Sequence, residues 1–520
     1  MFVIFLLLAI RVQCTEIYNE DLFLIPLDSG DTNFIFEFAM SKPIVNSVSK
    51  RSYRLFPLSL GQVIESHKIQ ELHLSLTQGF WLNSLWGYSK RDASPGAEIW
   101  MWFSPEVSDV ETSWAYSTNA LAGLLCSSMN QVAENKSVSP KVTFLPNGYL
   151  DPLTRSSSFK YGALPGEPVC TENLTPFKKL LPCSTHNGLI RLLEASKVFN
   201  SKFTSLGIDF IQECIDKECN QRVWHLKLSL SMVVNTLRKK LHFSSLFNSM
   251  IIRHCPLTTN ANLHFKRNAN LDIYLNSSYK WTKENEWMTA SLQNLPSNGP
   301  EYSYPSNFKF KMPSALPVYF HRYLSGSLGE DESFIVCDIF NNLESYQEVF
   351  YLENIPWFVR ILSYTLSTKS NGKSVQRTFY HYLSAKDRNR PSIMEIGMIL
   401  PPKSKTVVSF KVIRGLIKWT EHPPDPHHGH YIPSAVLSFT LNSSSHKVMQ
   451  RHSLRSEILI AQLMVPDFSM PYNVICLSST IFSVGYGAIQ TITTRRFSLK
   501  ETKTLKENIF SFIMKFFRRS

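Results

Sequence analysis

The segment VWHLKLSLSM, residues 223–232, places Trp224, Leu226, Leu228, Leu230 and Met232 at every second position. A strand turns successive side chains to opposite faces, so this spacing predicts a half-buried β-strand. A helix would repeat its apolar stripe every three to four residues. The same alternation recurs at Phe34, Phe36 and Phe38 in TNFIFEFAM, at Leu72, Leu74 and Leu76 in ELHLSLTQ, and at Ile99, Met101 and Phe103 in AEIWMWF. Helical spacing is rarer. It is confined to residues 57–68 behind Pro57, to 110–130 with Trp114, Leu121, Leu124 and Leu125, and to 188–199 with Leu189, Leu192, Leu193 and Val198. From Gln293 to Pro317 five prolines fall in 25 residues, a linker or long surface loop. Beyond it, strand-like runs at 333–340, 346–352, 376–384, 392–400, 405–414 and 432–441 suggest a sandwich. The expected fold is mainly β with some α.

The two ends give the topology. Phe2 to Ile10 is an apolar run resembling the core of a signal peptide, with cleavage expected near Cys14. No charged residue occurs from Phe468 to Thr494, and a helix over Tyr472–Thr494 reaches about 34 Å, enough to cross a bilayer. Residues 495–520 follow with eight Lys or Arg against two Glu, the cytosolic flank expected of a single-pass chain with its body outside the cytosol. The predicted organisation is a signal peptide (1–14), a mixed α/β lumenal region (15–292), a Pro-rich linker (293–317), a sandwich-like lumenal region (318–471), a transmembrane helix (472–494) and a basic tail (495–520). Within the span, Ser479, Ser483 and Gly487 share one helix face, a small-residue stripe that admits a packed partner helix. In the tail, Leu505, Ile509, Phe512, Ile513, Phe516 and Phe517 form an apolar face suited to the cytosolic membrane surface.

The net charge of +13 in 520 residues divides accordingly: the tail takes +6, and the body 15–494 keeps only +6. No basic cluster with interleaved aromatics occurs in the body, which argues against nucleic-acid binding. Apolar residues at 43% and charged residues at 18% exclude a disordered chain. Nine cysteines are too few for a disulfide scaffold. Seven of them fall in the ectodomain: Cys126, Cys170, Cys183, Cys214, Cys219, Cys255 and Cys337. An odd number leaves at least one thiol buried and inert, or bonded to another chain. Sequons stand at Asn135, Asn173, Asn276 and Asn442, with Pro176 following the second. There is no GxSxG elbow, HExxH, P-loop or GxGxxG. The segment KWTEHPPDPHHGHY (418–431) concentrates His and carboxylates, yet its spacing matches no metal site, and a surface or ligand-contacting loop is expected.

ELHLSLTQGFW (71–81), SPGAEIWMWF (94–103), VCTENLTPFKKLLPC (169–183), IPWFVR (355–360), KWTEHPPDPHHGHY (418–431) and VPDFSMPYNVICL (465–477) together resemble the PIG-T family of glycosylphosphatidylinositol (GPI) transamidase subunits. The resemblance implies a non-catalytic scaffold, without cofactor, in the endoplasmic reticulum membrane. The complex joins a GPI amine to the new C-terminus of a precursor protein. It implies partners as well: a caspase-like catalytic subunit, other multi-span subunits, the GPI lipid and precursor proteins. It also implies a disulfide to the catalytic subunit at Cys183, while an internal Cys170–Cys183 bridge is the competing reading. Thr175 is expected to cap a short helix with Pro176 in its first turn. Where the family loop reads DPNHGFY, this chain has His427 and His430 in place of Asn and Phe. Asp425, His427, His428 and Tyr431 are expected to line a GPI-facing surface. An independent lumenal hydrolase or transferase, and a cell-surface adhesion ectodomain, are the alternatives from other classes.

Overall fold

The computed structural model describes residues 16–517 except 45–52, 133–135, 151–157, 184–186, 216–218, 237–242, 268–281, 293–314, 327–332, 443–448 and 497–504, and positions 220, 252, 285, 424 and 466. The expected signal peptide and most of the Pro-rich segment lie outside the described residues.

The first eleven strands are β1 (Ile17–Pro26), β2 (Asp31–Ile44), β3 (Ile69–Gln78), β4 (Gly96–Phe103), β5 (Ser137–Val138), β6 (Phe159–Leu164), β7 (Phe203–Cys214), β8 (Arg222–Asn235), β9 (Asn260–Lys266), β10 (Thr282–Glu284) and β11 (Trp287–Ser291). They form one sheet in the order β10-β11-β9-β1-β2-β8-β7-β3-β4-β6-β5. Every pairing is antiparallel except β1 beside β9. The stretch 223–232 lies in β8, at the sheet's centre, and β8 pairs with β2 from Asp31↔Asn235 to Ile44↔Arg222. In this register Phe34, Phe36 and Phe38 stand opposite Met232, Leu230 and Leu228 on one face. That face is buried under helices α1 (Leu58–Ser66), α3 (Val110–Leu125), α4 (Thr171–Lys179) and α6 (Phe243–Phe247), with the one-turn helix α5 (Ala195–Val198) beside them. The other one-turn helix, α2 (Asn83–Trp86), packs Trp86 with Trp81, Phe203 and Val233 in a separate cluster. Leu60, Trp114, Leu121, Leu174, Phe177 and Phe247 close over the phenylalanines. Each large apolar side chain so buried contributes about 1.5–3 kcal/mol.

The helices differ from expectation mainly at their ends. α3 starts where predicted, its first turn capped by Asp109, whose carboxylate accepts from the Glu111 and Thr112 amides. α4 begins at Thr171, five residues earlier than a Thr175 cap requires, and Thr175 instead donates to the Thr171 carbonyl at 3.2 Å. Residues 188–199 break into a 3₁₀ turn, Leu189–Leu192, and α5.

The remaining strands are β12 (Val318–Ser325), β13 (Ser333–Asn341), β14 (Gln347–Ile355), β15 (Val359–Ser370), β16 (Lys373–Ser374), β17 (Arg377–Leu383), β18 (Ser392–Leu400), β19 (Ser404–Arg414), β20 (His430–Ile432), β21 (Val436–Asn442), β22 (Met449–Arg455) and β23 (Leu459–Ala461). Two five-stranded sheets, β12-β13-β19-β15-β16 and β17-β18-β14-β21-β22, share one apolar core, so the expected sandwich is present. β20 and β23 pair separately. Inside this core lies an ion pair, Arg322 to Glu353 at 2.8 Å, with neither side chain exposed. Burial raises the Glu353 pKa, while Arg322 and a bond from Tyr351 pull it down. Arg322 also donates to the Pro433 carbonyl at 2.8 Å.

Large sheet and sandwich belong to one compact unit, reaching Ile417 and including Pro423–Leu463. Lys418–His422 and Met464–Ser520 form a second, which holds α7 (Ser469–Thr494) and α8 (Leu505–Phe517). α7 begins three residues before the predicted span, and Pro471 falls in its first turn, where no intrahelical N–H is needed. None of its described side chains is buried, as suits an apolar helix surrounded by lipid or by other helices. Ser478, Thr480 and Thr491 donate to carbonyls four residues back, so these hydroxyls need no outside partner.

Arg322→Ala leaves Glu353 buried without its partner. The expected cost is about 3–5 kcal/mol of stability. It is read as a lower unfolding midpoint, and the Arg322→Ala/Glu353→Ala pair should recover part of the loss.

Candidate functional site

The other face of the large sheet meets the sandwich, and β4 carries both contacts. Ile99, Met101 and Phe103 point into the helix-covered core. Trp100 and Trp102, on the other face, pack with Val138, Phe144, Phe159 and Tyr161 against Leu352, Ile393 and Val436 of the sandwich. Two carboxylates lock this seam. Glu98 accepts from Arg455 Nε at 3.1 Å, Tyr161 Oη at 3.0 Å and the Ser94 amide at 3.1 Å. Glu395, from β18, accepts from the amides of Lys141, Val142 and Thr143 at 2.7–3.2 Å and from the Thr143 hydroxyl at 2.8 Å. Arg451 returns a bond to the Thr143 carbonyl. Tyr88 reaches across to β12, where its hydroxyl donates to the Val318 carbonyl at 2.6 Å and accepts from the Val318 amide at 2.9 Å.

Beside the seam is a cleft of about 630 Å³, floored by β2, β8, β7 and β3 and lined by charged side chains. Most of these satisfy one another. Lys90 pairs with Glu37 at 2.8 Å and Arg91 with Asp209 at 3.1 Å. His73 bonds Asp209 through Nδ1 and Glu71 through Nε2, both at 2.7 Å. Burial opposes a charge on His73, but these two carboxylates outweigh it and raise its pKa, while Arg91 and His73 hold Asp209 far below the usual carboxylate range against its own burial. Gly207 makes room for Arg91: a Cβ there would fall 1.4 Å from Nη1. A histidinium fixed between two carboxylates has no free nitrogen to act as a base, so this network fits support of the seam better than proton transfer. Asp92 is different. Burial pushes its pKa up to about 7, although Arg455 lies close and its amide donates to Asp92 at 2.6 Å.

In the chain by itself Cys183 is bonded to Cys255 and is 6% exposed, so the competing Cys170–Cys183 bridge is not formed. Cys214 pairs with Cys219. Cys126 and Cys170 are free and exposed, and Cys337 is free and buried. Cys170 immediately precedes α4, and its amide donates to Asn173 Oδ1 at 2.9 Å. Asn173 Nδ2 donates to the carbonyls of Leu125 at 3.1 Å and Cys126 at 2.9 Å. This amide is 1% exposed and fully engaged, which corrects its expected role as a glycan acceptor. Asn135 and Asn276 lie outside the described residues, and Asn442 ends β21.

In the His-rich loop, Asp425 accepts from the His427 amide at 3.2 Å and opens a 3₁₀ turn, Pro426–His428. His428 Nε2 lies 2.6 Å from the Tyr431 hydroxyl, and the Tyr431 ring rests beside Gly166. The histidines diverge. His430 packs on Phe358 at 5.0 Å, and His422, in the second unit, packs on Phe468 at 5.6 Å. In α7, Ser479, Ser483 and Gly487 are exposed, with no neighbour within 4 Å of where a Gly487 Cβ would stand. Sequence reading missed Glu71, His73, Glu98, Arg91, Asp209, Glu395 and Arg455. The available signal was a carboxylate or histidine at the outward positions of strands whose outward face is itself covered.

These features define a β-rich ectodomain joined to a candidate membrane-spanning helix, with exposed thiols and a locked inter-sheet seam. The chain belongs to the family described as "Gpi16 subunit, GPI transamidase component", which it matches over residues 2–243 and 235–518. It is 33% identical over 541 residues to the GPI-anchor transamidase component PIGT of Mus musculus, covering 94% of this chain and 91% of that protein. Identity is 33% over 537 residues to the same component of Homo sapiens, with the same coverage. It is 30% over 550 residues to GPI transamidase component GPI16 of Saccharomyces cerevisiae, covering 92% and 88%. The resemblance stated from the sequence is thereby established.

Thr175→Ala abolishes the Asn173 sequon without touching the buried amide. The glycoprotein mass is expected to stay at the wild-type value apart from the substitution, and loss of one glycan on a gel would contradict the assignment. Asp92 has a folded pKa above its unfolded one. Its contribution to stability is therefore complete below about pH 4 and is lost as pH rises through about 7. Asp92→Asn is expected to flatten the fall in unfolding midpoint between pH 5 and 8, measured by thermal melts.

Proposed function

We propose that the chain is a non-catalytic, single-pass type I scaffold subunit of the GPI transamidase in the endoplasmic reticulum membrane. In this reading it stabilises the caspase-like catalytic subunit and helps attach GPI to precursor proteins. The observation that carries the proposal is the match to GPI transamidase components over nearly the whole chain. Within VCTENLTPFKKLLPC, Cys183 is the cysteine that the resemblance joins to the catalytic subunit; in the chain by itself that thiol is held by Cys255. The seam supports a scaffold role, because its charges are spent on holding two folded bodies in one register.

The remaining partners are assigned by chemistry. The small-residue face of α7, at Ser479, Ser483 and Gly487, suits close packing with multi-span subunits. α8 has apolar Leu505, Ile509 and Phe512 flanked by Lys506 and Lys515, which suits the cytosolic membrane surface. Asp425, His427, His428 and Tyr431 form a polar, aromatic surface fit to face the GPI head group. No resident cofactor is called for.

Cys183→Ser is expected to abolish the reducible band joining this chain to the catalytic subunit on non-reducing gels, while Cys170→Ser keeps it. A band persisting in Cys183→Ser would overturn the assignment. Alanine at His427, His428 and Tyr431 together is expected to reduce surface display of a GPI-anchored reporter several-fold with the complex still assembled. Unchanged display would remove the loop from the lipid site.

A further inference from the structure

Cys183 follows α4 and is bonded to Cys255, 72 positions further on. The two residues are 6% and 4% exposed. The segments around them are fastened without that bond. The Gly188 amide donates to the Arg253 carbonyl at 2.8 Å, and the Thr259 amide donates to the Tyr18 carbonyl at 2.7 Å. Opening the disulfide therefore frees a sulfur without freeing the chain that carries it.

A third group stands against the pair. A Glu20 carboxylate oxygen and the two sulfurs all lie within 4.8 Å of one another. Glu20 is 1% exposed, and it accepts from the Tyr18 hydroxyl and from the Leu189 amide, each at 2.9 Å. Gly188 makes room for it: a Cβ there would fall 2.5 Å from Oε2. Among the described residues no lysine or arginine pairs with Glu20. Burial raises its pKa, with Asp21 acting in the same sense, against the pull of its two hydrogen bonds. A carboxyl so placed holds a proton more readily than an exposed one and can give it to an anion formed beside it.

We propose that Cys183–Cys255 is a transfer bond: it holds Cys183 until the catalytic subunit docks, the partner's thiolate then takes Cys183, and Glu20 protonates the Cys255 sulfur that leaves. The inference rests on the reading of Cys183 as the interchain cysteine. The step needs no oxidant. The partner's thiolate attacks Cys183 Sγ, the Cys183–Cys255 bond breaks, and the electron pair leaves on Cys255 Sγ. Glu20 delivers its carboxyl proton to that sulfur and is left a carboxylate, with the Leu189 amide and the Tyr18 hydroxyl already in place to bond it. One disulfide is consumed and one is formed. Expelling a bare thiolate into buried surroundings is the costly part, and a proton donor at this distance removes the charge as it forms. The slight exposure of both cysteines screens the bond from small thiols, so exchange follows docking and does not precede it.

The test uses the full-length chain expressed with and without the catalytic subunit. Cells are quenched in acid, thiols are alkylated with N-ethylmaleimide in denaturant, and peptides are mapped without reduction. The expected result is a linked Cys183–Cys255 peptide in the unassembled chain, and in the complex an alkylated Cys255 with Cys183 joined to the partner. Cys255 alkylated equally in both pools, with Cys183 still joined to the partner, overturns the transfer bond and leaves the interchain reading standing. A Cys183–Cys255 peptide that persists in the complex overturns the transfer and the interchain reading together. Glu20→Gln keeps an acceptor for the Leu189 amide but has no proton to give. In pulse–chase it should slow the appearance of the interchain bond several-fold, with capture of the catalytic subunit unchanged. In a Cys255→Ser background, where no thiolate leaves, the same substitution should change nothing. An unchanged rate in Glu20→Gln alone, or equal slowing in both backgrounds, overturns the proton transfer.

Discussion

The buried contact between Glu98 and Arg455 ties the two halves of the ectodomain together. Neither side chain exceeds 2% exposure. Taking such a pair out of water is costly, and a well-packed apolar pair in its place is often no less stable. Its consequence is therefore orientation. Arg455, Tyr161 and the Ser94 amide all reach the Glu98 carboxylate, and they do so in one docking register. A one-residue slip of β4 would present Ile99 to the guanidinium and turn Trp100 and Trp102 away from the sandwich. The aromatic packing, the Glu395 clamp and the cleft beside the seam all presuppose that register.

The strands were legible where one face is greasy and the other polar, as in β2, β3 and β8, because period-2 alternation is a local signal. β4 showed only half of its role. Ile99, Met101 and Phe103 announced a core face, while Trp100 and Trp102 announced a second covered face that alternation does not distinguish from solvent. The seam network was illegible for a related reason. Glu98 and Arg455 are 357 positions apart. Nothing local says that an outward carboxylate on a strand will be buried by a distant arginine. Helix starts were misplaced where capping came from a residue outside the usual set. α4 is led in by Cys170, and its amide is satisfied by Asn173, a residue that by motif alone reads as a glycan site.

Cysteine arithmetic shows the same limit. An odd count in an oxidising compartment poses a real question, but parity does not say which member is odd. The structure places Cys337 in the sandwich core and spends Cys183 on Cys255, so the exposed thiols come as two. Burial, a tertiary property, decided what counting left open. The family resemblance holds across nearly the whole chain.

The β2–β8 pairing, described above as a matter of register, also sets a timetable. The β1–β2 hairpin is made early, but the strand that covers its inner edge comes nearly 200 residues later, and the parallel partner of β1 later still. At synthesis rates of about 5–20 residues per second, the row of alternating phenylalanines in β2 waits roughly 10–40 s with an open edge and an uncovered apolar face. The nascent chain therefore passes through a long interval in which an exposed apolar strand depends on chaperones. Supply of the finished subunit is governed by that wait as well as by the stability of what finally folds.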